Sequence, residues 1–297
     1  MKREDVLQFF QTLQDEIHQG LVKFDPAMQW KEDQWNRPGG GGGRSRAGAN
    51  GTVWEKGGVN FSDVHGVTNP ALRAQLKTES GSFQATGVSL VLHPCNPHVP
   101  IVHMNVRHFR LDDGSEWFGG GIDLTPHYVD PVEASQFHRA LRAVCNRYHA
   151  DWYEVFKTYA DDYFFLPHRD ETRGVGGIFF NELGTFEGTD LQEGFSFVQD
   201  LGRSFLPTYL PLVEQKKELE FDERQREWQL MRRGRYVEFN LVHDLGTRFG
   251  LHSNGRTESI LMSLPPLARW EYNHEVRAGS DEERTLQALK KGINWVN

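Results

Sequence analysis

Cysteine is nearly absent from this chain: Cys95 and Cys145 are the two in 297 residues. A disulfide framework is therefore excluded as a source of stability, and such low usage suits a reducing compartment. No stretch approaches the roughly 20 consecutive apolar residues of a membrane-spanning helix. The opening residues, Met1-Lys2-Arg3-Glu4-Asp5, lead into an amphipathic segment instead of an apolar signal region. Basic charge is also short, with 33 Lys and Arg against 41 Asp and Glu and a net charge of −8. That balance argues against a nucleic-acid binder, which needs a basic face to displace counterions from phosphate. An anionic ligand would have to be met by local arginines acting against the average field. The expectation is a soluble, cytoplasmic protein with neither nucleic-acid nor membrane partners.

What the chain has in quantity is aromatic side chains and glycine, with 20 Phe, 8 Trp, 8 Tyr and 30 Gly. This is core enough for one large domain, and residues 1–297 are read as one. Val6, Phe9, Phe10, Leu13, Ile17 and Leu21 recur at helical spacing and predict an opening amphipathic helix. Residues 39–43 are five consecutive glycines, followed by Arg44-Ser45-Arg46. They predict a flexible loop over 39–46, serving as a linker or as a lid whose two arginines cover an anionic ligand. The loop lacks the GK[ST] ending of a phosphate-binding P-loop. From 83 to 124 the texture turns to β, with strands over 88–92, 101–111 and 116–124. Asp130-Pro131-Val132-Glu133 reads as an N-cap, a first-turn proline and a capping-box glutamate, opening a helix toward 148. A second helix covers 151–163. Later strands are expected at 177–180, 235–242 and 258–264, and helices near 196–218 and 281–293. Strands in a cluster, then helices, then strands again indicate an α+β arrangement.

The residues that carry chemistry concentrate in the β-rich part. Side chains alternate across a strand, so His103, Asn105 and Arg107 share one face, as do Ser89 and His93 on the preceding strand. Such a face is either solvent-exposed or the wall of a site. Asp123 follows Gly119-Gly120-Gly121-Ile122. A carboxylate beside backbone stripped of side chains suits a flat ligand that approaches closely, the alternative being a turn aspartate at the Thr125-Pro126 corner. His93, His103, His138 and His168 are candidate ligands for a divalent metal, although their spacings match no compact metal motif and a helical histidine is usually structural. Arg256, beyond Asn254 and Gly255, stands where a carboxylate could be held bidentately, or else pairs with Glu258.

In order along the chain, the segments GGGGGRSR (39–46), GVNFSDVHG (58–66), GVSLVLHPCNPHVP (87–100), HMNVR (103–107), WFGGGIDLTP (117–126), HRDETRGVGGIFF (168–180), RRGRYVEFNLV (232–242) and GRTESILMSLPPLARWEY (255–272) resemble the oxygen-dependent coproporphyrinogen III oxidase family. The resemblance implies a large antiparallel sheet flanked by helices on both faces. The activity it implies is conversion of two propionates of coproporphyrinogen III to vinyl groups, with molecular oxygen as co-substrate and carbon dioxide and hydrogen peroxide released.

By the same resemblance His103 is the proton donor. Asp123 is read as the catalytic group that hydrogen-bonds the pyrrole N–H groups and helps remove a proton, with Arg107 and the catalytic Arg256 clamping carboxylates. Ser89, Asn105, Arg107, Asn254, Gly255 and Arg256 would bind substrate. His93, His103, His138 and His168 would hold an optional divalent cation of open identity, with no organic redox cofactor. A homodimer is implied through residues 236–271, with His168 affecting dimerisation. Two other readings use the same residues: a metal-dependent oxygenase or hydrolase acting on another planar anion, and a non-enzymatic tetrapyrrole carrier.

Overall fold

A computed structural model describes residues 1–76, 78–184, 189–252 and 255–296. Helix α1 (Arg3–Phe24) opens the chain, and Val6, Phe9, Phe10, Leu13, Ile17 and Leu21 form its buried stripe, as their spacing predicts. Six strands follow: β1 (Gln29–Asn36), β2 (Gly41–Ala49), β3 (Trp54–Val67), β4 (Ser82–Pro94), β5 (Ile101–Leu111) and β6 (Glu116–Thr125), with a short α2 (Pro70–Leu76) after β3. Next come α3 (Pro131–Cys145), α4 (Trp152–Tyr163) and the two-residue strands β7 (Phe165–Leu166) and β8 (Glu171–Thr172). Strand β9 (Gly176–Leu183) then returns to pair with β6. The remainder is helical: α5 (Leu191–Lys216), α6 (Glu223–Glu238), a π-helical segment (Phe239–His243), α7 (Leu245–His252), α8 (Thr257–Leu261) and α9 (Asp281–Ala288). No helix among the described residues is long and apolar enough to cross a membrane.

The seven-stranded sheet runs in the order β1-β2-β3-β4-β5-β6-β9, and every neighbouring pair is antiparallel. Its two faces differ. Val59, Phe61, Val88, Leu90, Leu92, Val102, Met104, Val106, Phe118, Ile122 and Leu124 point one way into the main apolar cluster, packed with α1, α3 and α5. Alternate positions carry the polar side chains, and the segment from α6 to α8 lies over part of that second face. There Asn60 Nδ2 donates to Ser259 O at 2.7 Å and Ser45 Oγ meets Ser259 Oγ at 2.7 Å. The expected α+β class, with an antiparallel sheet and helices on both faces, is what the chain forms.

Three local expectations are corrected. Residues 39–46 are not a flexible loop: positions 41–46 belong to β2, paired on both sides with β1 and β3. Gly40 and Gly41 supply the positive φ angles, +117° and +78°, that turn β1 into β2. Gly43 leaves room for the Trp35 ring, which a Cβ would overlap. Arg44 and Arg46 are no lid, because both pair with Asp15 on α1, on the face away from the polar residues. Residues 235–242 are not a strand but the end of α6 and the π-helical segment. A capping box between Asp222 and Gln225 opens that helix, and Trp228, Arg232 and Tyr236 are buried at helical intervals. Residues 258–264 are not a strand either. They lie across the sheet's face, where no strand edge is available, so α8 satisfies its own backbone groups.

His138 shows how a titratable side chain ties the layers. Its Nδ1 accepts from Tyr153 Oη of α4 at 2.9 Å, and its Nε2 donates to Val175 O at 3.0 Å, just before β9. Burial drives its pKa down to about 4. The imidazole is thus neutral in the fold and takes up a proton on unfolding below pH 6.5, so its contribution is full above pH 6.5 and is lost as pH falls toward 4. The shift corresponds to about 3 kcal/mol across that window. Thermal unfolding followed from pH 7.5 to 4.5 should therefore show a smaller loss of stability for His138→Gln than for the unaltered chain.

Candidate active site

The polar face is ordered by register. Asp33, Ser45, Asn60, Ser89, Asn105, Gly121 and Phe179 stand opposite one another in one row crossing all seven strands. One neighbouring row contains Gly43, Ser62, Gly87, Arg107 and Gly119. The row on the other side contains Ala47, Gly58, Val91, His103, Asp123 and Gly177. Rows are about 6.6 Å apart and strands about 4.8 Å. His103, Asn105 and Arg107 are half-buried, whereas Val102, Met104 and Val106 between them are buried. Glycines keep the floor free of side chains. A Cβ at Gly121 would come within 2.7 Å of Ile178 O, and one at Gly87 within 2.5 Å of Val106 O. The result is a shallow backbone floor beside a polar edge.

Arg107 is held by amides. Its Nη1 donates to Asn105 Oδ1 at 2.7 Å and its Nη2 to Asn181 Oδ1. Burial lowers its pKa, with Tyr163 and Asp244 acting in the opposite sense. Among the described residues no carboxylate lies within 4 Å of this guanidinium, although most other half-buried arginines here have one. An arginine fixed by neutral acceptors beside a flat floor has the chemistry to receive a ligand carboxylate.

One row away, His103 Nδ1 lies 2.8 Å from Asp123 Oδ1. An ionised carboxylate accepts, so Nδ1 carries the hydrogen and Nε2 is the nitrogen left for a ligand. Asp123 is 1% exposed. Its second oxygen accepts from Arg173 Nη2 at 2.6 Å. Burial works to raise its pKa, but Arg173 and His103 together outweigh burial and hold it below the ordinary value. Arg173 Nη1 donates to Asn240 Oδ1 at 2.8 Å. The rings of Phe164, Tyr236 and Phe239 lie 4.3, 4.7 and 4.7 Å from the guanidinium carbon. Phe164 also faces His103, with ring centroids 6.3 Å apart, and Phe179 stacks on Tyr163 at 4.2 Å to complete an aromatic wall.

The sheet thus gathers Ser89, His103, Asn105, Arg107 and Asp123. Arg256 is set apart: it pairs with Asp33 on the edge strand β1, while α8 sits on β2 and β3, between it and Ser89. Gly255 lies between α7 and α8, its N–H donating to Gly250 O at 2.8 Å. Asn254 lies outside the described residues.

The four histidines do not fit a shared divalent ion within one chain. His138 has both nitrogens committed to Tyr153 and Val175. His93 is buried with Nε2 donating to Ser263 O at 2.8 Å. His168 lies at the surface between Glu238 and His243, and His103 is turned to Asp123. Among the described residues no three His, Cys, Asp or Glu side chains are gathered in a metal-holding group.

Sequence reasoning missed Arg173, Asn240, Asn181 and the aromatic wall. Arg173 lies inside HRDETRGVGG, where nothing local distinguishes it from the neighbouring Arg169.

A flat backbone floor, an arginine awaiting a carboxylate and a histidine–aspartate pair suit a planar, carboxylated ligand whose chemistry moves a proton. The family comparison agrees: residues 5–295, nearly the whole chain, match the coproporphyrinogen III oxidase family, and the chain belongs to that family of oxidoreductases, whose reaction is an oxidative decarboxylation in heme biosynthesis.

Proposed function

We propose that this chain converts two propionates of coproporphyrinogen III to vinyl groups with molecular oxygen as oxidant and without an organic redox cofactor. For each propionate, one oxygen molecule takes up two electrons and two protons to become hydrogen peroxide, and the carboxyl group leaves as carbon dioxide. The observation that carries this reading is Arg107: a guanidinium on the glycine floor, held by two amides, with no carboxylate partner among the described residues. It takes the reacting propionate, with Asn105 and Ser89 beside it. Binding energy spent there orients the side chain toward the ring, which is where an enzyme without a redox cofactor gains rate.

His103 Nε2 is assigned removal of a pyrrole N–H proton, which makes the ring electron-rich enough to add oxygen. The peroxide so formed takes a proton from the propionate carbon next to the ring as its C–O bond to the ring breaks, leaving as hydrogen peroxide after one further proton from solvent. The electron pair of the departing carboxylate then forms the vinyl double bond as carbon dioxide leaves, and His103 returns its proton to the pyrrole nitrogen. Asp123 is better suited to orient His103 and stabilise its imidazolium than to take the proton itself, because both of its oxygens are engaged. Arg256 joins the site only if a second carboxylate displaces Asp33. No step is assigned to a metal ion.

A homodimer is part of the proposal. Leu241, Val242, Leu245, Leu251, Leu267, Trp270 and Tyr272 are exposed within or beside residues 236–271, and Tyr272 is 96% exposed. Exposed apolar side chains concentrated in this stretch of chain support association with a second copy. The main apolar cluster takes in residues from Val6 to Trp295, which supports one domain over the whole chain. A cytoplasmic location is part of the same proposal, in keeping with the free thiols of Cys95 and Cys145.

The deciding experiment incubates purified protein with coproporphyrinogen III in air, under anoxia, and in air after chelation. Conversion in air that survives chelation and stops without oxygen is expected; no conversion in air would sink the assignment and leave the carrier reading. Arg107→Met should lower kcat/KM about tenfold to a hundredfold, the worth of a charge-assisted contact, with KM raised as well. His103→Asn should instead lower kcat about 10²-fold or more with KM nearly unchanged. In sedimentation, Val242→Asp with Trp270→Glu should shift a dimer to monomer; a monomeric unaltered chain would remove the dimer.

A further inference from the structure

We propose that Arg173 is a positioning residue for the reaction, clamped by Asn240 and three aromatic rings so as to hold Asp123 as a fixed anion behind His103. This inference rests on the assignment of His103 and Asp123 as the proton-handling pair.

Arg173 cannot serve as a carboxylate receptor. Its side chain is 2% exposed. Phe164, Tyr236 and Phe239 pack around the guanidinium, and its two terminal nitrogens are spent on Asn240 and Asp123. Whatever it does for a ligand on the sheet, it does through Asp123. It is thereby unlike Arg107, whose partners are neutral and whose side chain reaches the floor.

The elements that build the clamp are specialised for it. Tyr236, Phe239 and Asn240 come from the junction of α6 with the π-helical segment Phe239–His243. A π-turn widens the helix and rotates successive side chains, a distortion that recurs at functional sites. Here it brings two rings and an amide to one guanidinium, while Phe164 approaches from the end of α4. An isolated structural ion pair would need none of this. The cage does two things: cation–π contact offsets the desolvation of Arg173, and Asn240 fixes the plane of the fork so that one N–H aims at Asp123 Oδ2.

The chemical consequence concerns where a proton can rest. When His103 takes a proton from the substrate, a free carboxylate 2.8 Å away in a dry setting could take it in turn. Arg173 prevents that by stabilising the ionised form of Asp123. The proton then stays on the imidazole, whose Nε2 faces the ligand and can return it. In the resting state the same anion fixes the Nδ1–H tautomer, leaving Nε2 basic.

The test combines Arg173→Met, Arg173→Lys, Asn240→Leu, Asp123→Asn and the Arg173→Met/Asp123→Asn double variant, each checked for folding by thermal unfolding. Arg173→Met is expected to lower kcat about 10²-fold with KM within about threefold. Arg173→Lys should recover about tenfold of that loss, and Asn240→Leu, the mildest change, should give a smaller fall in kcat at the same KM. The double variant should be no slower than the slower single one, because residues acting as a unit are not additive. Additive losses, or a raised KM with kcat retained, would overturn the proposal. ¹⁵N spectra of His103 give a readout independent of turnover: the Nδ1–H tautomer should dominate in the unaltered chain and be lost in Arg173→Met or Asn240→Leu. An unchanged tautomer in both would also overturn it. If the unaltered chain converts no porphyrinogen, the assignment of function fails alone, and the spectra still decide the role of Arg173.

Discussion

A pleated strand shows alternate side chains to opposite sides, and in β4, β5 and β6 that alternation separates two incompatible environments. Val102, Met104 and Val106 enter the main apolar cluster, while His103, Asn105 and Arg107 project the other way. A slip of one residue in register would bury a guanidinium and an imidazole among phenylalanines and expose a valine, a methionine and another valine. The core and the site are therefore specified by one set of backbone hydrogen bonds. Every other element answers to this division: α1, α3 and α5 cover the apolar side, and the chain from α6 to α8 returns over the polar one.

Asp123 is where that division is most demanding. It lies on the polar face yet is as buried as the core, and a carboxylate removed from water must be paired or become protonated. Arg173 meets the need, at the cost of burying a second charge that itself requires an amide and three rings. Breaking such a pair by removing one partner costs about 3–5 kcal/mol. The local order of α4, α6 and the π-helical segment is in this sense a consequence of placing one carboxylate at that position.

How much of this could be read from the sequence depended on how far apart the cooperating residues lie. The face shared by His103, Asn105 and Arg107 follows from a period of two within five residues, and α1 from a period of 3.6 within the sixteen from Val6 to Leu21. The N-cap at Asp130 is equally local, and its side chain accepts from Val132 and Glu133. The glycines of 41–43 signal conformational freedom, which is not the same as mobility; pairing with β1 and β3 is a tertiary fact that glycine's local preferences do not encode. Residues 235–242 and 258–264 have the texture of strands, yet the chain lays them against the sheet's face instead of beside a strand. The histidines were judged by type, whereas their partners are backbone carbonyls and hydroxyls supplied by distant segments: Ser263 for His93, Val175 and Tyr153 for His138. Arg173 was illegible for the same reason, since its partners lie at 123, 164 and 236–240.

The floor beside Arg107 is made of main chain. At Gly87 and Gly121 a neighbouring strand's carbonyl already occupies the place a Cβ would take. Such a surface has a shape but no side chains, so amino-acid replacement cannot remodel it by degrees. Side-chain replacement can act only at the polar positions that border the glycines, such as Ser89, Asn105 and Asn181, where a substitution leaves the pleat in place. The glycine floor is stiff to substitution and the positions beside it are pliable, so the flatness of this surface is harder to change than the groups displayed on it.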